Sequence, residues 1–438
     1  MTSAARSLFD SLSGARDMCN RRTGLILLLS LWLVAPQLGM ALEAHDSIVV
    51  EWSGTTMGDI AYQIKVVAPS NQSVDEAERH VTAVLQRLNA AMSTYIPDSE
   101  VSRFNDSPTT EWFPVSSETA IVVAKSLEVS RHSDGAFDIS VKPLVELWNF
   151  GAGRKDFLIP KDVDVERGRA RIGYEKLFAQ LEPPMIRKSQ ADLQIDLSAI
   201  AKGFIVDAVS RKLTELGFVN HFVEIGGEVM AHGIKPQGQP WRVGIERPHE
   251  VKREIQKIVG LLDQGMATSG DYRNFAIVDG TRYSHTIDPK TGRPVTHDLA
   301  SATIVADDCM TADAIATAVL VLGQERGLEL CKKLNVQLFG LVRKGDSFVE
   351  FATPGFQTLE PNSPANVAAN PIWPVFVGSL VFFLLAVGGL LIGVLFSNKP
   401  IRGSCGGIGA VTGESSECNL CGNGPEQCVD KNTQANSS

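Results

Sequence analysis

Two constellations in this 438-residue chain have residue types and spacings that can do chemistry. Asp313 and Thr317 stand four apart in Met310-Thr-Ala-Asp-Ala-Ile-Ala-Thr-Ala-Val-Leu320, so on a helix their oxygens share one face and can grip one cation. Asp196 and Lys202 are isolated charges in Asp196-Leu-Ser-Ala-Ile-Ala-Lys-Gly-Phe-Ile-Val-Asp207, with Val223-Glu-Ile-Gly-Gly-Glu-Val229 following. A helical register, then a β-branched run broken by a Gly pair, reads as a helix feeding a buried strand and a tight turn. That places a carboxylate, a lysine and closely approaching backbone at one spot. Each residue also has a bland reading: Asp196 as a helix N-cap, Lys202 as a solvated lysine, and Asp313 and Thr317 as a helix surface.

The elements that must position these residues follow from periodicity. Residues 47–67 alternate as strands, and 74–92 carry apolar residues at helical spacing. Asp98-Ser99 can start another helical turn, 118–133 is helical, and 134–141 is a turn into a β-branched segment. Trp148 and Phe150 read as core. Residues 241–246, 255–262 and 302–306 read as strands, Lys290-Thr-Gly292 as a turn, and the helix from Met310 ends near Gly323. Mixed strands and helices without strict alternation predict an α+β fold.

A net charge of −9 argues against nucleic-acid binding, which needs clustered Lys and Arg. Residues 1–41 read as an export signal, with Arg16, Arg21 and Arg22 before an apolar core; an uncleaved anchor is the alternative. Residues 353–373 have linker composition, and 374–397 have the length and apolarity of a transmembrane helix, with Trp373 at one end and Lys399 and Arg402 past the other. The charge bias puts the large domain outside the cytoplasm and the tail inside it. Cys309 and Cys331 read as buried small hydrophobes, with a pairing between them left open. In the tail, Cys405, Cys418, Cys421 and Cys428 can supply four thiolates to Fe or Zn.

Several separated motifs resemble, in order, those of the ApbE family of FAD:protein FMN transferases. They are Gly54-Thr-Thr-Met-Gly58, Met92-Ser-Thr-Tyr95, Gly135-Ala-Phe-Asp138, the 196–207 stretch, Glu224-Ile-Gly-Gly227, Thr268-Ser-Gly-Asp-Tyr-Arg-Asn274, Ser284-His-Thr-Ile-Asp-Pro289 and Ala312-Asp-Ala-Ile-Ala-Thr317. The resemblance implies an ApbE-like, T-fold-like periplasmic domain over 46–352 that moves FMN from FAD to a protein threonine and releases AMP. It implies a Mg²⁺ site at Asp313, Thr317 and the Ala199 carbonyl, which suits an ion that shares phosphate oxygens. It implies an FAD site at Met57, Tyr95, Ala136, Phe137, Asp138, Asp196, Lys202 and Ile287, with His285 as catalytic base. Tyr95 matches the transferase form of the site; asparagine there goes with FAD hydrolysis to FMN and AMP. Ser198-Ala199 replaces the usual small pair, and a main-chain ligand tolerates that change.

The tail motif Lys399-Pro-Ile-Arg-Gly-Ser-Cys-Gly-Gly407, with the later cysteines, resembles NqrM, a maturation factor of the Na⁺-translocating NADH:quinone reductase. Together the two resemblances imply an inner-membrane protein with a cytoplasmic Cys-rich tail over 398–438 that assists iron delivery. Its partners would be FAD, the membrane and flavin-bearing subunits of that reductase or of an Rnf-type complex. The competing readings are an FAD pyrophosphatase and a non-catalytic FAD-binding assembly factor.

Overall fold

The computed structural model describes residues 47–150, 157, 159–249, 254–272, 274–345, 347–359 and 379–385. The leader, the four tail cysteines and most of the expected membrane span lie outside them. The chain divides into two units, Met1–Asn366 and Val367–Ser438. Of the second, only helical residues 379–385 are described, and their side chains are exposed. Among the described residues no helix is long and apolar enough to cross a membrane.

The first unit is built on eight strands: β1 (Ser47–Thr56), β2 (Ile60–Pro69), β3 (His221–Ile225), β4 (Glu228–His232), β5 (Gln264–Gly270), β6 (Leu299–Ala306), β7 (Gln337–Lys344) and β8 (Ser347–Ala352). Each pairs antiparallel with its neighbour in sequence, so the sheet is a meander that needs no crossover. Seven α-helices are described in this unit: α1 (Asp75–Met92), α2 (Glu100–Asp106), α3 (Ser117–His132), α4 (Lys142–Leu147), α5 (Asp162–Ala170), α6 (Ala201–Glu215) and α7 (Cys309–Leu334). They sit in insertions between strands.

Helices α6 and α7 pack on the central strands and α1 packs on α6. Ile64 and Val66 of β2, Leu85 and Leu88 of α1, and Phe204 and Ile205 of α6 join one core there. The opposite face of the sheet is covered by the hairpin of Trp241–Glu246 and Ile255–Leu261, which buries Trp241 beside Phe339 and Phe356. Each such large side chain contributes about 1.5–3 kcal/mol on burial. Covered on both faces, β6 is buried at every position, which explains a run of apolar residues broken only by the small polar Ser301 and Thr303.

The sequence reading and the structure differ at five places. The helix of the central stretch begins at Ala201, and Asp196 lies in the loop before it. Residues Ile139–Val141 form a 3₁₀ turn because Asp138 caps it, accepting from the Ser140 N–H. Strand β5 falls on 264–270, a Gly- and Ser-containing stretch with a weak strand pattern. The helix from Cys309 breaks at Gly323 (φ 78°, ψ −176°) but resumes and ends at Leu334, with Asn335 left-handed after it. The domain continues beyond 352: Pro354–Leu359 is a 3₁₀ turn whose Phe356 stacks on Phe339, centroids 5.3 Å apart. Cys309 and Cys331 are both buried and free.

Candidate active site

A cavity of about 440 Å³ opens where the insertions meet the N-terminal half of α7. Tyr95, Ala136, Phe137, Asp138, Asp196, Ala199, Lys202, His285, Ile287, Asp313 and Thr317 all line it. Met57 does not; it sits at φ 49° in the β1–β2 turn and packs against the core from there. Tyr95 is 71% exposed and stands on the loop after α1.

The floor is made where α6 meets α7. A methyl group on Gly203 would lie 2.4 Å from the Cys309 carbonyl oxygen, so only glycine lets the two helices come this close. The Gly203 N–H donates to Asp313 Oδ2 at 3.0 Å. In a helix that N–H would go to the carbonyl four residues back, Ala199. Because Asp313 takes it, the Ala199 carbonyl receives no hydrogen bond from it. Asp207, one turn on, accepts the Cys309 and Met310 N–H groups at 2.9 and 2.8 Å and so ties α6 to the start of α7. Burial pushes Asp207 up to about 7 against those two bonds. Its work is structural.

Asp313 is buried, and burial raises its pKa although Lys202 and the Gly203 N–H oppose the shift. Thr317 Oγ1 lies 3.1 Å from Ser269 Oγ on β5. Lys202 Nζ pairs with Glu228, the first residue of β4, which follows the left-handed Gly226-Gly227 turn. Burial works against the Lys202 ammonium, but Glu228 and Asp313 hold its pKa above the ordinary value. For Glu228, burial outweighs Lys202 and the pKa rises. Two buried carboxylates against one ammonium leave the floor with a charge deficit that a cation would fill. The carboxylate, the threonine hydroxyl and the unclaimed Ala199 carbonyl are oxygen donors, the set a hard divalent ion prefers, so these residues fit Mg²⁺. Among the described residues no group of three or more His, Cys, Asp or Glu is arranged to hold a metal. The fit therefore depends on hydroxyl and carbonyl oxygens.

The two other carboxylates differ. Asp138 is 7% exposed, and its oxygens accept from Ser140 N, Ser140 Oγ and Tyr174 N at 2.8, 2.7 and 2.9 Å. Burial still pushes it up to about 6. It shapes the wall more than it offers an acceptor. Asp196 uses one oxygen on Ser198, N–H at 2.9 Å and Oγ at 2.5 Å, and keeps Oδ2 for a ligand. Its loop is held from behind by Asn105, which exchanges two bonds with the Ile195 backbone at 2.7 and 2.8 Å. Lys188 sits beneath, giving its ammonium protons to the carbonyls of Phe104, Asn105 and Leu193.

His285 follows the short hairpin of Phe275–Val278 and Thr281–Ser284. Its Nδ1 lies 2.9 Å from the Asn274 carbonyl, which can only accept. The proton is therefore on Nδ1 and the lone pair on Nε2, the tautomer a general base needs. Phe150 meets the ring edge to face at 6.5 Å. The hairpin base is fixed by buried Asp271, which pairs bidentately with Arg343 at 2.9 and 3.2 Å.

Sequence reasoning missed Glu228, Ser269 and the Asn274 carbonyl among the residues lining the cavity. Glu228 had a signal, a carboxylate directly after a Gly pair and inside an apolar strand. Ser269 and Asn274 lay within the Thr268–Asn274 motif, which carried the resemblance without marking either as a cavity residue.

The model of the ApbE family matches residues 57–339, and that of (Na⁺)-NQR maturation NqrM matches 394–438. A Vibrio cholerae protein named FAD:protein FMN transferase is 39% identical over 77% of this chain and 98% of its own length. One of the same name from Haemophilus influenzae is 37% identical over 74% and 96%. Among solved structures, the flavin transferase ApbE from Vibrio cholerae superposes with a TM-score of 0.66 at 38% identity, covering 72% of this chain and 99% of that one. The apo flavinyl transferase ApbE of Pseudomonas stutzeri gives 0.66 at 38% identity, covering 72% and 98%. The chain thus belongs to the ApbE family and carries an NqrM segment at its C-terminus.

Proposed function

We propose that this protein transfers FMN from FAD to a threonine hydroxyl of a protein acceptor. The observation that carries the reading is the joint presence, around one cavity, of a cluster of oxygen-bearing residues at α6 and α7 and a histidine whose Nδ1 is held by a carbonyl. In the reaction, the threonine oxygen forms a bond to the FMN phosphorus, and the bond from that phosphorus to the bridging oxygen breaks. AMP leaves with that oxygen, and the threonine proton goes to His285 Nε2. Asp313, Thr317 and the Ala199 carbonyl would hold Mg²⁺, which when bound neutralises phosphate charge. Lys202 balances the same charge, Asp196 Oδ2 accepts from a hydroxyl or amino donor of FAD, and Phe137 and Ile287 give apolar contact. Tyr95, exposed at the rim, is placed where an acceptor segment must pass.

The acceptor we favour is a flavin-bearing subunit of the Na⁺-translocating NADH:quinone reductase or an Rnf-type relative, supported by the NqrM match on the same chain. The leader, the apolar stretch 374–397 and the charges after it favour an inner-membrane protein with this domain in the periplasm and the tail in the cytoplasm. Cys405, Cys418, Cys421 and Cys428 are then placed to handle iron for the same complex.

The test is to incubate the full chain with FAD, Mg²⁺ and such a subunit, then look for flavin fluorescence that survives denaturing electrophoresis. A covalent band abolished by chelator is expected. Free FMN and AMP without a band would replace the transferase by a pyrophosphatase, and unchanged FAD would overturn both.

A further inference from the structure

The position of Glu228 asks for an explanation that ion pairing alone does not supply. It is 3% exposed and lines the cavity. Its Oε1 meets Lys202 Nζ, while the buried Oε2 has no hydrogen-bond partner among the described residues. A half-satisfied buried carboxylate is costly, and a tie between β4 and α6 could be made more cheaply by apolar packing. Lys202 also feels the charge of a second carboxylate, Asp313, to which the neighbouring Gly203 N–H donates. An ammonium on a flexible four-carbon arm between two carboxylates goes to whichever holds it better.

We propose that Glu228 is a positioning residue that holds the Lys202 ammonium away from Asp313, so that Asp313 stays open to the divalent cation. The inference rests on the transferase reading for the identity of that cation. Without Glu228, Lys202 swings to Asp313, forms a buried ion pair there and competes with the metal. With both partners removed, nothing competes and the cation binds again. A tie that merely stabilised the strand would show no such reversal.

The experiment is calorimetric titration of the full chain with Mg²⁺ alone, in the absence of FAD and acceptor. E228Q keeps the volume of the side chain and removes its charge; it should weaken Mg²⁺ binding about 10–100-fold, the usual range for residues supporting a metal ligand. The double variant K202M/E228Q should return the affinity to within a few-fold of the parent, although FAD binding weakens. Should E228Q fail to fold, E228M, unbranched, of similar volume and uncharged, takes its place with the same expectation. Parent-like Mg²⁺ binding in the single variant would overturn the proposal, as would a double variant no better than the single. If the Mg²⁺ pattern holds while the parent fails to flavinylate any acceptor, only the transferase reading falls.

Discussion

Gly203→Ala probes the link between packing and chemistry most directly. The added methyl would meet three backbone atoms, the Cys309 oxygen at 2.4 Å, its carbonyl carbon at 2.7 Å and the Met310 Cα at 2.8 Å. Ordinary contact starts near 3.4 Å, so α6 and α7 must part by about 1 Å. Overpacking of this kind costs about 1–3 kcal/mol, which at roughly 2–4 °C per kcal/mol lowers Tm by about 2–12 °C. The parting also stretches the 3.0 Å bond from Gly203 to Asp313 and separates Asp313 from Ala199. A misplacement of about 1 Å in a site of this kind costs about 10²-fold in turnover. Gly217→Ala is the control: at φ +89° with nothing within 4 Å, it adds about 1 kcal/mol of backbone strain remote from the cavity and should leave turnover unchanged. The assay pairs thermal unfolding with the rate of acceptor flavinylation at saturating Mg²⁺. Parent-like turnover in Gly203→Ala, whatever its Tm, would refute the claim that the contact of the two helices sets the cation site.

Further expectations follow from single residues. Asp313→Asn removes a carboxylate that burial already disfavours, so its Tm without Mg²⁺ should match or exceed the parent's. It should show no Mg²⁺-induced rise in Tm, where the parent gains about 2.7 kcal/mol at a hundred times its Kd. His285→Gln should keep FAD binding, followed by flavin fluorescence, while turnover falls about 10²–10⁴-fold. Asn105→Ala strips both bonds from the buried Ile195 backbone and should cost about 1–3 kcal/mol in denaturant unfolding, with weaker FAD binding as the 193–198 loop loosens. Asp207 is held near 7 in the fold against an ordinary 3.8, so the native state binds the extra proton between those values. Its contribution to stability is present at low pH and lost as pH rises toward 7; Asp207→Asn should flatten that fall in chemical denaturation from pH 4 to 8.

Much of this was written in the sequence where pattern and chemistry coincide. The alternation of Ile64, Val66 and Ala68 and the helical spacing of Val81, Leu85 and Leu88 are local signals, and both elements form as read. The 196–207 stretch was legible as a unit, but not the start of its helix. Asp196 uses its side chain on Ser198 in the loop, an interaction that competes with helix and leaves no periodicity to read. The roles of Glu228, Ser269 and the Asn274 carbonyl come from approach in space, which a Gly pair or a motif flags without specifying: β4 to α6, β5 to α7, and a hairpin folded back on its own base. Phe356 was hidden for the same reason. A Pro- and Thr-rich neighbourhood looks like linker until Phe339 supplies the surface on which it stacks.

The meander has a consequence for how the site can work. Since consecutive strands pair throughout, the sheet closes without any help from the insertions, and the insertions are free to carry function. Asp196, Ala199 and Lys202 come from the segment between β2 and β3, His285 from that between β5 and β6, and Asp313 and Thr317 from that between β6 and β7. The residues that would hold the donor's phosphates converge on two helices locked together by Gly203 and Asp207, where a rigid floor suits an ion with strict geometry. His285 stands instead beside a two-stranded hairpin, held where Asp271 meets Arg343 and where Tyr283 stacks on Trp148 at 6.1 Å. The proposed cation ligands thus come from two packed helices, and His285 from a separate hairpin set on an aromatic cluster. That division suits a reaction whose donor is always one small molecule and whose acceptor is a segment of another protein.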